Sequence, residues 1–176
     1  ANSACRRATR YVVSPVAAAR FLLAKLREWR LKKAPGPRLA GIYPLSNAAR
    51  GFKQQAFTTQ NFILGDFFVA DLSPCRFDPH MTLKEDYDYT CAHLRRHGAV
   101  LRCNRLVIRA RHQTNSGGAC TVRDAEGKEE NRNIRILHQK WPGVFIPNPT
   151  RKDEVVLRWD RHRHPPPRGV PRHGGH

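Results

Sequence analysis

The sequence has 176 residues, 40% of them hydrophobic, with 32 Lys and Arg against 14 Asp and Glu and a formal net charge of +18. That length suits one domain with a real core, which excludes wholesale disorder. No run approaches the ~20 apolar residues of a membrane-spanning helix, which excludes an integral helical membrane protein.

Residues 1–13 form a basic segment in which Arg6, Arg7 and Arg10 meet no acid. Ser14-Pro15 is a helix start, with the hydroxyl as N-cap and proline in the first turn. The helix predicted over 16–33 puts Ala18, Leu22, Leu26 and Trp29 on one face, and Pro35-Gly36-Pro37 ends it. Residues 38–45 read as a strand entering a turn, and 47–59 as a loop. The apolar run 61–72 suits a buried strand, or two strands joined at Gly65-Asp66.

From Lys84 to His97 the pattern is helical again, with an acidic start (Glu85, Asp86, Asp88), a basic end (Arg95, Arg96) and Gly98 beyond it. Residues 103–111 alternate as a strand, with Leu106, Ile108 and Ala110 on one side and Arg105, Val107, Arg109 and Arg111 on the other. Thr114 to Gly118 is a glycine-paired loop, and 126–141 a helix with Ile134, Leu137 and Trp141 inward. Short strands follow at 143–146 and 154–159. The tail 161–176, rich in His, Arg and Pro, has no apolar periodicity and is expected to be disordered. Helices alternating with strands predict an α/β domain over 14–160.

The charge is uneven. Residues 1–33 carry a net +8 and residues 161–176 a net +4, which leaves +6 for everything between. Within that middle lies an acidic island of Asp66, Asp71, Asp78, Glu85, Asp86 and Asp88, against only Arg76 and Lys84. Carboxylates repel phosphate, so the island argues for chemistry rather than for nucleic-acid binding alone. Three acids in four residues exceed what helix capping requires. Their crowding can raise one carboxyl pKa and make a general base, for which Asp86 is the candidate and Glu85 its neighbour. His112, at a strand end before the glycine pair, suits a metal or phosphate contact. Arg102, Arg105, Arg109 and Arg111 could bind a phosphate-bearing partner, or form a solvated strand face. Cys5, Cys75, Cys91, Cys103 and Cys120 contain no CxxC pair and are odd in number, so neither a zinc module nor a disulfide framework is indicated. A reducing compartment is the simplest reading, and with it an intracellular, soluble protein whose compartment the sequence leaves open, the nucleus and organelles included.

Several segments, taken in order, resemble the TET-associated glycosyltransferase family, a GT-A-like group linked to DNA-base modification. They are Val12 to Pro15 with its helix, Ala40 to Asn47, Leu83-Lys84-Glu85-Asp86-Tyr87-Asp88-Tyr89-Thr90, Arg111-His112-Gln113-Thr114-Asn115-Ser116-Gly117-Gly118, and Asn133 to Gly143. The resemblance implies a partial GT-A-like mixed sheet flanked by helices, in a transferase that moves a sugar from a nucleotide-sugar to a hydroxyl, with a modified DNA base as acceptor. It implies Asp86 and Glu85 as the catalytic acids, and a divalent cation, Mn²⁺ or Mg²⁺, at His112 and Asp88. Donor or phosphate contacts would come from Gly65, Asp66, Arg111, Asn115, Gly117 and Gly118. No Asp precedes Ser14, so the Asp-x-Asp region and the nucleotide-binding half of such a fold are expected to be missing. The competing reading is a non-catalytic basic RNA- or DNA-binding protein, such as a ribosome-associated component. There, Arg102, Arg105, Arg109, Arg111, Arg132 and Arg135 would form one surface and the acidic island would only cap a helix.

Overall fold

A computed structural model describes residues 11–32, 35–45, 47–108 and 119–165. Helix α1 spans Pro15–Lys32, and Ala18 donates its N–H to Ser14 O at its start. Its buried residues are Ala18, Leu22 and Leu26, four apart and so on one face. Leu22 and Leu26 pack on Ala40, Ile42, Leu101 and Cys103 of the sheet. Burying two leucines completely contributes roughly 2–3 kcal/mol each.

The chain then forms β1 (Leu39–Tyr43), α2 (Ala48–Phe52), β2 (Phe57–Thr58), β3 (Phe68–Ala70), α3 (Glu85–His97) and β4 (Leu101–Val107). These four strands make one mixed sheet in the order β2-β4-β1-β3. β1 and β4 are parallel, with Gly41 opposite Arg102, while β3 runs antiparallel to β1 and β2 antiparallel to β4. A parallel pair requires a crossover, and here α2, β2, β3 and α3 supply it. Beyond the sheet come α4 (Ala119–Val122), α5 (Lys128–Lys140) and a hairpin of β5 (Phe145–Pro147) with β6 (Val155–Leu157). The fold is therefore α/β, with a mixed sheet flanked by helices. No helix among the described residues is long and apolar enough to cross a membrane.

Helix α3 is buried on two sides. Cys91 belongs to a cluster with Met81, Leu137, Trp141, Val144, Phe145 and Val155. Tyr89 and Leu94 belong to another with Leu39, Ile63 and Val100. The helix thus joins the sheet to the α5–hairpin layer. At its end Gly98 takes φ 70° and returns its N–H to Leu94 O, as its place after the basic turn predicts.

Four segments differ from the sequence expectation. The 47–59 stretch is not a plain loop: Asn47 caps α2 through Arg50 N, and Phe57-Thr58 pairs with β4. Of the apolar run 61–72, only 68–70 joins the sheet. Ile63 is buried instead as a plug against Gly41, whose missing Cβ would lie 2.5 Å from Ile63 Cγ2. β4 starts at Leu101 and buries four successive residues, because a central strand is covered on both faces. Residues 161–164 of the expected tail form a turn on Asp160, with His164 N donating to Asp160 O. Residues 166–176 lie outside the described chain.

Candidate functional site

The acidic island enters α3 through Lys84, which has φ 58° and ψ 22°, a left-handed conformation that a non-glycine residue rarely adopts. Glu85, Asp86 and Asp88 then occupy the first turn. A ladder of contacts holds the segment 62–65 across that turn. Phe62 stacks on Tyr87 with centroids 4.0 Å apart. Ile63 N donates to Thr90 Oγ1 at 3.2 Å. Gly65 N donates to Asp86 Oδ2 at 3.0 Å, while Asp86 Oδ1 accepts from Tyr87 N at 2.9 Å.

These contacts leave the Asp86 carboxyl half-buried between a helix start and an exposed turn. Burial pushes its pKa up to about 7. The charge of Glu85 adds to the rise, and the N–H groups of Gly65 and Tyr87 act against it. A carboxyl that changes protonation near neutrality can take a proton from a hydroxyl. Its position agrees with that task. Gly41 pairs with Phe68 in antiparallel register, so residues 65–67 run alongside the carboxyl end of β1. Ligand sites of open α/β sheets lie beyond the carboxyl ends of parallel strands. A pocket of about 770 Å³ opens on this edge, lined by Tyr11, Val13, Ile42, Phe52, Phe67 and Leu106 among others. Asp86 is not in its wall.

The structure brings Asp86, Glu85, Gly65 and Asp66 together and separates Asp88 from them. Asp88, expected as a cation ligand, is only 3% exposed. Its Oδ1 accepts from Trp141 Nε1 at 2.7 Å and its Oδ2 from Lys140 Nζ at 2.8 Å, and Lys140 also binds Asp78. Both oxygens are committed to donors from the end of α5, so Asp88 does not fit a metal. Among the described residues no three His, Cys, Asp or Glu side chains gather as a metal-binding group. His112, Asn115, Gly117, Gly118, Arg109 and Arg111 lie outside the described residues.

The expected arginine face also changes. Arg102 is 5% exposed, with Nε on Asn104 Oδ1 and Nη2 on Gln54 Oε1. Arg105 reaches the same stretch, donating to Gly51 O and Gln54 O and lying 4.7 Å over the Phe52 ring. An irregularity between Ile42 and Tyr43 inserts extra β4 residues opposite β1, which breaks the simple alternation. Arg102 is thus a buried group of the central strand β4, tied to Asn104 and Gln54 rather than turned to solvent. Arg105 is exposed, but the 51–55 backbone holds its guanidinium.

Sequence reasoning missed Lys84, whose side chain is 5% exposed and ion-paired at 2.7 Å with Glu130 and 3.4 Å with Glu154. It also missed Asn133, fully buried, whose Oδ1 accepts from Thr82 N and Leu83 N. The one local signal was a polar Asn on the inward face of the predicted helix 126–141, four residues before Leu137.

No family model matches this chain, and comparison with curated proteins and with solved structures likewise returns no match.

Proposed function

We propose that this chain carries the acceptor-activating part of a glycosyltransferase-like domain. In this reading it transfers a sugar from a nucleotide-sugar to a hydroxyl, with a modified DNA base as the acceptor class. One observation carries the proposal: Asp86, raised to about 7, is held by Gly65 N–H, in the segment that leads into β3 beside the carboxyl end of β1, the side on which open α/β sheets hold their ligands. The sequence resemblance supplies the reaction class.

In the step, Asp86 accepts the proton of the acceptor hydroxyl as its oxygen attacks the anomeric carbon. The bond from that carbon to the diphosphate oxygen breaks, and the diphosphate leaves with the bonding pair. Gly65 N–H and Tyr87 N–H each bind one oxygen of the carboxylate and fix its orientation. Asp88, bound by Lys140 and Trp141, does not fit the cation that the resemblance implies.

The basic-protein reading draws less support. Arg102 is buried and Arg105 is held by backbone carbonyls, so neither presents a free phosphate-binding face.

The test is transfer from a panel of nucleotide-sugars to hydroxymethylated DNA, with and without Mn²⁺, followed by mass spectrometry. Activity should rise with pH through about 7, as the carboxyl loses its proton. Asp86→Asn should lower the rate about 10²–10⁴-fold, and His112→Ala tests the expected cation ligand separately. Full activity in Asp86→Asn, or DNA binding without any sugar transfer, would sink the proposal.

A further inference from the structure

The strained residue just ahead of Asp86 has a purpose in the fold. Lys84 is a buried, charged, β-carbon-bearing residue held at φ 58°, with no side-chain cap on the helix it precedes. Such a conformation is strained for a residue with a side chain and persists only where surrounding contacts enforce it. Among the described residues those contacts come from the α5–hairpin layer. Glu130, on the first turn of α5, and Glu154, before β6, hold the ammonium. Asn133 binds the N–H groups of Thr82 and Leu83, and its own Nδ2 donates to Glu129 O and Thr82 Oγ1. Tyr87 donates its hydroxyl to Val155 O, and Asp88 binds Lys140 and Trp141. Residues 82–84 and 88 are thus tied to one layer, while Asp86 turns to Gly65 on the other side, and Tyr87 reaches both, through Val155 O and the Phe62 ring.

We propose that Lys84 is the positioning residue of Asp86. Its ammonium, buried between Glu130 and Glu154, fixes the left-handed entry from which α3 starts, and this sets the Asp86 carboxyl against Gly65. Release of residue 84 into an ordinary conformation would rotate the first turn and carry the carboxylate off the Gly65 amide. The role rests on the reading of Asp86 as the base, but its readout does not.

The experiment follows the Gly65 amide by NMR in the free protein, with no donor or acceptor present. In Lys84→Met, which keeps the stem and removes the charge, the Gly65 proton should move upfield and its exchange should quicken at least about tenfold. The amides of Leu101 and Cys103, in the sheet, should stay as they are. Should Lys84→Met fail to fold, the double variant Glu130→Gln/Glu154→Gln carries the same test, because it removes the opposing charges with side chains of equal size. A folded variant with an unchanged Gly65 shift and exchange rate overturns the proposal. Loss of sugar transfer with an unmoved Gly65 amide also overturns it, whereas a moved amide in a protein that transfers no sugar upholds it and removes only the catalytic reading.

Discussion

At Gly41 the sheet leaves no room for a methyl group. A Cβ there would sit 2.5 Å from Ile63 Cγ2 and 3.3 Å from Phe67 O, and Ile63 is itself only 2% exposed. Glycine at this position allows the 62–67 segment to lie on β1, which brings Gly65 to Asp86. Gly41→Ala should therefore destabilise the protein by about 1–3 kcal/mol, the usual cost of overpacking a filled site. Urea unfolding checks the magnitude. The double variant with Ile63→Ala, which frees the clashing branch, should lose less than the sum of the two single changes. Strict additivity would mean that the clash is relieved elsewhere. Asp86 and Asp88 carry the same lesson about chemistry. They are identical side chains two residues apart, yet one turns to Gly65 and the other into the Lys140–Trp141 pair. The acidic cluster was legible in the sequence, but the division of labour within it was not, because the deciding donors are distant: Gly65 lies 21 residues before Asp86, and Lys140 and Trp141 lie 52 and 53 residues beyond Asp88.

Helix α3 is the element on which the candidate site depends, and Thr90 is its tie to the segment it faces. Thr90 is fully buried, and its hydroxyl accepts from Ile63 N and donates to Ile63 O. Thr90→Val keeps the shape and removes both bonds, leaving a buried N–H unsatisfied at a cost of about 1–3 kcal/mol. The expected loss is accompanied by faster exchange at Ile63 and Gly65. Unchanged stability would show that water replaces the hydroxyl. The limits of α3 could be read in advance, since its acidic start, basic end and Gly98 are local features, and the same holds for α1 with Ser14-Pro15. The state of residues 62–64 could not. An apolar run reads as a strand, but Ile63 satisfies its backbone through Thr90, 27 residues on, rather than through a neighbouring strand. The left-handed Lys84 was equally hidden, because the glutamates that enforce it belong to another layer.

For the whole molecule, a few buried groups with displaced titrations shape how stability depends on pH. His93 is fully buried, with Nε2 on Ser73 Oγ and Nδ1 on Tyr89 O, and His97 is 4% exposed with Nε2 unpartnered. Burial brings both from an ordinary 6.5 down to about 4, and Arg38, Arg96 and Arg30 add to the effect at His97. Their folded pKa values are depressed, so the stability they contribute is present above pH 6.5 and is lost as pH falls towards 4. Asp86 works in the opposite direction. Its folded value of about 7 lies above an ordinary 3.8, so its contribution is present below pH 3.8 and fades as pH rises through 7. Between about pH 5 and 6 the unfolded chain holds two protons on the histidines and none on Asp86. The folded chain there holds one, on Asp86. The net difference of one proton makes stability rise with pH by about 1.4 kcal/mol per unit from these three groups. Asp86→Asn removes the opposing contribution, and the slope should steepen by a further ~1.4 kcal/mol per unit. Groups titrating alike in both proteins cancel in the comparison, so urea unfolding at pH 5 and pH 6 isolates Asp86. Equal slopes would mean that the Asp86 carboxyl titrates in the ordinary range, and a base poised at neutrality would be lost with it.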